Sequence, residues 1–434
     1  MLAPALEGFA PTPEMPEIAE AQALLAALAE TDEVKAAIAQ RHRRFDLQTS
    51  YSQALLWAKG FASEETMAAF ARAGEFAGPA ENAAARFGTY DAQCLRSFMR
   101  GEYRQAREIA ETFVREAEAG GRGAEAGASR RMLGLICLYQ GDLKAAKAAL
   151  ERASSDFVPE RNKEAKFGGP AGDVTASAFL ALTEWHLGEV ERARQHIQQA
   201  IRRADELADV TTIATALFFR TILESRRDDV CATRFAADAL LKLSEEYGMK
   251  TYSDEGHVYA NWARGRVLDP GVGANAAMQA LTAYLAPGNK ADAPSLHGSL
   301  AELEAMTGEP AAALAQIDRG LAIAEETGEH FTDAYLHRLR GELLLKRDPT
   351  DPAPAEDAYR TAIAIAKKQA ARGYELLASL ALAKLYQSTG RPAEAHAVLA
   401  PALEGFAPTD EMPEIAEAQA LLLAIGASAH ARHQ

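Results

Sequence analysis

A frame of small and large apolar residues, set on either side of a glycine turn, recurs along this chain and limits it to stacked helix pairs. Its clearest copy runs from Leu133 to Ala153. Leu133, Gly134 and Cys137 share one face of a first helix that stops at Gly141-Asp142, and Ala146, Leu150 and Ala153 share one face of a second. Spacings of three and four residues hold each set on a single stripe. Gly134 and Ala146 let the helices approach, Leu133 and Leu150 fill the seam, and Gly141 makes the reversal. The frame returns at Leu180-Ala181, Gly188, Ala193, Ile197 and Ala200, and at Leu382-Ala383, Tyr386, Gly390, Ala395, Leu399 and Ala402. A weaker copy has Leu300-Ala301, Gly308, Ala313, Ile317 and Gly320.

This alternation resembles the tetratricopeptide pattern, whose unit is about 34 residues; turns here at Gly101, Gly141, Gly188 and Asp228 stand about 40 apart, so the helices are longer. Ala, Leu, Glu and Arg dominate while Val and Ile are sparse, which favours helix over sheet. The expected fold is all-α: a right-handed superhelical solenoid of tetratricopeptide-like helix pairs, in which each pair touches only its neighbours. Helix pairs are expected near 14–41, 49–77, 84–118, 124–154, 173–207, 210–247, 292–327, 332–370 and 373–406, with a lone helix from Met412. The stretch 251–286, broken at Asp269-Pro270-Gly271, shows no clear frame and reads as a degenerate repeat or a bend. The loop from Asp156 to Asp173 separates two pairs, and Asp348–Pro354 is a stiff turn inside one pair. The chain thus divides into N-terminal helices (1–45), the array (46–406), and a capping helix with a tail (407–434).

The two ends match. Leu2–Leu25 and Leu399–Leu422 differ only at Pro13 against Asp410, which implies recent duplication or assembly from tandem units. Met1 falls opposite Val398, whose codon can serve as a bacterial start, so Met1 is expected to lie inside a longer reading frame. Glu17, Glu20 and Gln22, matched by Glu414, Glu417 and Gln419, supply the polar outer face that terminal repeats carry.

The net charge of −15 repels phosphate backbones and anionic lipid, so neither nucleic acid nor a membrane is an expected partner. The basic run Arg41-His42-Arg43-Arg44 is short and reads as a solvated helix end. Cys94, Cys137 and Cys231 are too far apart for a zinc or disulfide pattern. The N-terminus has no signal-peptide pattern, no uncharged apolar stretch approaches 18 residues, and a cytoplasmic protein is expected.

The segments 47–73, 130–153, 328–369 and 377–406, the last reading LASLALAKLYQSTGRPAEAHAVLAPALEGF, resemble the C-terminal tetratricopeptide region of bacterial proteins that join a class III adenylate/guanylate cyclase domain to a STAND-type AAA ATPase. The resemblance covers the chain from about Asp46 onward and implies a regulatory or sensing arm. No GxxxxGK[ST] run or cyclase aspartate motif is present, so none of that family's catalytic residues transfers to this chain.

Candidates for chemistry are weak. His330, Asp333 and His337 share a helix face and have ligand-like spacing, but lack a fourth ligand; capping by Thr332 or Asp333 is the plainer account. Gly271-Val272-Gly273 and Gly168-Gly169-Pro170 lack the strand and lysine of a phosphate loop. No GxSxG occurs, and Glu245-Glu246 and Glu325-Glu326 point to different helix faces. No enzyme, metal or cofactor is expected. What remains is a concave surface lined by the first helix of each pair: Arg131, Tyr139, Trp185, His186, Arg226, Arg338, Glu342, Lys346, Lys384 and Gln387. Several of these are basic, which points to a protein or peptide partner with acidic or carboxylate character. A non-enzymatic interaction scaffold is the expected function. Its alternatives are a fragment of a larger cyclase–ATPase and a small-ligand sensor with a pocket near 251–286.

Overall fold

The computed structural model describes residues 16–60, 63–76, 82–155 and 171–431. Among these it forms nineteen α-helices and no strand. The chain opens with α1 (Pro16–Lys59) and α2 (Glu64–Glu75). Eight antiparallel pairs follow: α3 (Asn82–Met99) with α4 (Tyr103–Ala119), α5 (Gly123–Tyr139) with α6 (Leu143–Ser155), α7 (Gly172–Leu187) with α8 (Val190–Leu207), and α9 (Val210–Arg226) with α10 (Val230–Glu246). The later pairs are α11 (Lys250–Val267) with α12 (Pro270–Leu285), α13 (Ala293–Met306) with α14 (Pro310–Thr327), α15 (Asp333–Arg347) with α16 (Ala353–Gln369), and α17 (Arg372–Ser388) with α18 (Pro392–Leu403). α19 (Glu414–Ala431) closes the array.

The pairs form two layers with different burial. In the outer helix α8 one stripe is buried, Val190, Ala193, Ile197, Ala200 and Ala204, at spacings of three and four. The inner helix α7 is buried continuously from Ala176 to His186. A helix apolar on one side needs one neighbour; a helix buried all round needs cover on both. For the inner helices the second cover is the rest of the superhelix.

That cover is specific. The carbonyl of Met99, at the end of α3, accepts hydrogen bonds from the N–H groups of Lys290 (2.7 Å) and Ala291 (3.3 Å). The carbonyl of Tyr139, at the end of α5, accepts from His330 (2.8 Å) and Phe331 (3.2 Å). Terminal helix carbonyls need partners. Here the loops before α13 and α15, far along the chain, provide them in the same way. α7 likewise packs on α17. The expectation that each pair touches only its neighbours is therefore corrected: successive turns of the superhelix are bonded to each other.

Two further differences have local causes. The helix pairs expected at 14–41 and 49–77 are instead one long helix, α1, followed by α2. Between Pro16 and Lys59 the sequence holds neither Gly nor Pro, the residues that stop helices most strongly. The first stop is Gly60, at φ +90°. The stretch 251–286 is not a bend but the regular pair α11/α12. Its frame is Gly265 against Gly273, where a Cβ added to Gly273 would lie 2.4 Å from the Gly265 Cα. Backbone-to-backbone crossing replaces the small-into-large contact seen at Gly134, where an added Cβ would meet Leu150 Cγ at 2.5 Å. Asp269 caps α12 by accepting from Gly271 and Val272 N–H (2.9 and 3.1 Å), ahead of a helix with proline at its start. The turn at 348–354 does fall inside one pair, between α15 and α16. Residues 1–15, and 156–170 of the expected inter-pair loop, lie outside the described residues.

Gly273→Val is expected to force α11 and α12 apart and to cost about 1–3 kcal/mol, read as a lower urea midpoint. Gly271→Ala, whose added Cβ finds no neighbour closer than 3.4 Å, is the matched control and should change stability far less.

Candidate functional site: a buried polar core and an outer cleft

The inner helices bring their polar residues to two places. The first is a buried core where α9, α11 and the loop before α13 meet the turn before α15. Arg226, at the end of α9, donates to Ser295, to Asp292 Oδ1 (3.3 Å) and to the Tyr259 hydroxyl (3.4 Å). Tyr259 donates to Asp292 Oδ2 at 2.5 Å. Glu329 accepts from the Tyr103 hydroxyl (2.5 Å) and from the Asp292 N–H (3.1 Å). Glu255, on α11, brings a third carboxyl into this cluster, beside that of Asp292. Asp292 itself sits in the left-handed region, at φ +59°, a conformation aspartate accepts more readily than most residues. Arg226, Glu255, Asp292 and Glu329 are all buried.

Three carboxyls and one guanidinium cannot all be charged without leaving buried charge uncompensated. Burial, reinforced by the Asp292 carboxylate, raises the carboxyls of Glu255 and Glu329 well above the usual carboxylate range. Burial also raises Asp292, with Arg226 opposing the shift. Each proton retained removes one uncompensated negative charge from the core. Glu255 Oε1, Glu329 Oε1 and Arg226 Nε still find no hydrogen-bond partner.

Aromatic rings surround this core. Tyr139 lies 4.8 Å from Phe98 and 4.6 Å from Phe331, between ring centres. His186 packs on Phe331 (5.4 Å, edge-on) and on Tyr374 (5.0 Å). Burial, with the nearby charge of Arg226, lowers the His186 imidazole to about 3, and neither ring nitrogen is hydrogen-bonded. It is a neutral ring packed among rings.

The second place is an outer cleft of about 500 Å³ between α15, α17 and α19, with Tyr359 of α16 at its side. Leu345, Leu377, Leu380 and Leu385 give it an apolar floor. Arg338 pairs with Glu342, and its guanidinium lies over the Tyr335 ring, 5.7 Å from the centre. Lys384 Nζ is 2.8 Å from Glu417 Oε1.

The ten residues expected along one concave surface are thus divided. Tyr139, Trp185, His186 and Arg226 are buried and belong to the packed interior. Arg338, Glu342 and Lys384 converge in the cleft. Lys346 is exposed and donates to the Ala305 carbonyl, and Gln387 is exposed on α17. Arg131 is apart from both groups, against the first residue of α7 and facing Asp91 and Asp173. Sequence reading missed Glu255, Tyr259, Asp292 and Glu329. A signal was available, since the loops 288–292 and 328–332 both begin with a glycine at positive φ and place a carboxylate in the core. His330 Nδ1 is 2.9 Å from Asp333. Among the described residues no three His, Cys, Asp or Glu side chains gather as metal ligands would, and no helix is long and apolar enough to cross a membrane.

No family description matches the chain. An uncharacterized protein of Rhizobium meliloti (strain 1021) is 24% identical over 225 residues, which is 51% of this chain and 22% of that protein. The chain therefore spans well under two thirds of the curated relative it matches. Among solved structures it is similar to a Rap protein complexed with Competence and Sporulation Factor, at 13% identity and TM-score 0.48, covering 89% of this chain and 98% of that one. The human IFIT1 dimer with m7Gppp-AAAA is 15% identical, at TM-score 0.46, covering 84% and 78%. Yeast Tom70 is 12% identical, at TM-score 0.39, covering 94% and 88%. At these values the likenesses say nothing of what this chain binds.

The charge balance of the core can be probed by substitution. Arg226→Met removes its only guanidinium and should cost about 3–5 kcal/mol in urea unfolding near neutral pH. The titrating groups act in opposite directions. The folded state holds the Glu255 and Glu329 protons to higher pH than the unfolded chain does, so their contribution weakens as pH rises above about 4.3. His186 takes up a proton near 6.5 only when unfolded, so its contribution is complete above 6.5 and is lost as pH falls toward 3. Glu255→Gln should therefore flatten the decline in stability from about pH 5 to pH 8, and His186→Phe should flatten the decline from about pH 7 to pH 4.5, both read from urea midpoints.

Proposed function

We propose that this chain is a non-enzymatic protein-interaction scaffold, the regulatory or sensing arm of a bacterial cyclase–ATPase signalling system, with its binding surface at the outer cleft. The observation that carries this reading is the convergence of Arg338, Glu342 and Lys384 around an apolar floor, while the polar residues deeper in the array are bonded to one another. Stacked pairs fit a protein-interaction role because they present an extended, repeated surface. The resemblance of segments 47–73, 130–153, 328–369 and 377–406 supports the signalling context.

The cleft's chemistry changes the partner expected from the sequence. Its lining holds Arg338 and Lys384 against Glu342, Glu414 and Glu417, so carboxylates outnumber cations. An acidic peptide would meet net repulsion there. An amphipathic helix fits better, with apolar anchors at helical spacing over Leu345, Leu377 and Leu380 and charged flanks toward the paired rim. The small-ligand sensor loses its motive, because 251–286 is a regular pair whose inward Glu255 and Tyr259 are bonded into the core.

Amphipathic helical peptides selected against the whole chain provide the test. Lys384→Glu and Leu345→Ser should each weaken the selected peptides about tenfold or more by fluorescence anisotropy, as central anchors do. Unchanged affinity in both variants would remove the cleft as the binding surface.

A further inference from the structure

The segment that ends the array rests on a seat made by distant parts of the chain. Phe406 lies beneath the Arg372 guanidinium, 5.6 Å to the ring centre, and fills the space beside Gly188. Thr409 donates to Glu191. Glu411 pairs with Arg227 and sits 3.3 Å from Arg194 Nε. Met412, Ile415, Ala418 and Ile425 are buried, and Glu417 pairs with Lys384.

Each of these seated residues has a counterpart at the other end of the sequence: Phe9, Thr12, Glu14, Met15, Ile18, Glu20 and Ala21 are identical, and Leu28 stands for Ile425. The one difference within Leu2–Leu25, Pro13 for Asp410, falls where the seated segment is exposed. The helix start agrees as well. α1 begins at Pro16, and α19 begins directly after the matching Pro413. A seat built from Arg194, Arg227, Arg372 and Lys384 has no contact by which to tell the two segments apart.

We propose that residues 2–28 of a second copy of this chain dock in the seat held by residues 399–425, linking copies head to tail. The contact is heterologous, one patch meeting a different patch, so it can propagate from copy to copy. The resident segment competes from its tether at an effective concentration of about millimolar. Linkage therefore grows with protein concentration and with any change that loosens the resident segment. Lys384 and Glu417 also line the outer cleft, but the exchange of segments needs no peptide bound there and is read from the crosslink, not from peptide affinity.

The unmodified chain can be tested with a zero-length carbodiimide, which couples a paired lysine and carboxylate, on an equal mixture of nitrogen-15-labelled and unlabelled protein. Proteolytic peptides separate Glu20 from Glu417, because one segment carries Pro13 and the other Asp410. The expected result is a Lys384–Glu20 link with mixed isotopes, increasing with concentration, beside the internal control Lys384–Glu417. Glu14→Arg should reduce the mixed link several-fold, and pairing that copy with an Arg227→Glu copy should restore it. Detection of Lys384–Glu417 alone would overturn the proposal, as would a Lys384–Glu20 link found only within chains of a single isotope.

Discussion

The interior of this solenoid is arranged around one buried guanidinium. Arg226 ends α9, and its hydrogen bonds reach Tyr259 on α11, Asp292 in the loop before α13 and Ser295 within α13. Asp292 in turn donates its N–H to Glu329, which Tyr103 of α4 reaches from the other side. Five separated parts of the chain thus meet through one chain of hydrogen bonds. Burying such groups costs desolvation, and an apolar core of the same volume is often as stable or more so. What polar contact adds is discrimination. An apolar seam tolerates a slipped turn, whereas slippage here would strand a buried charge at about 3–5 kcal/mol.

That constraint decides where binding is possible. An open superhelix of helix pairs leaves its inner helices facing solvent, and their outward residues become a groove. Here the loops at 288–292 and 328–332 reach back and cap α3 and α5. The rings of Phe98, Tyr139, Phe331, His186 and Tyr374 then close the space between turns. Among the described residues, α19 packs on α17 and α18, and α15, α17 and α19 together line the cleft.

Much of this was legible in the sequence, and the parts that were not have physical reasons. The frame at Leu133–Ala153 located pairs correctly because small-into-large packing repeats in sequence as it does in space. It failed at 251–286 because Gly265 and Gly273 pack backbone on backbone and need no large partner. It split α1 because a periodic stripe can fade without a helix ending; only Gly or Pro would have ended it. Tyr139, Trp185, His186 and Arg226, expected to line a groove, are buried in the core. Whether successive turns touch depends on superhelical pitch, the sum of small rotations over several pairs, and no single repeat encodes it. The polar loops at Asp292 and Glu329 were the local sign that they do.

Pitch also bears on the array's ends. In a solenoid whose turns are bonded together, a closing segment is held by more than the pair before it. Residues 406–418 touch α8, the turn after α9, and α17, so their seat exists only when the turns are stacked. A loosened core would weaken the seat along with the interior, even though Arg226 and the Lys384–Glu417 pair share no contact.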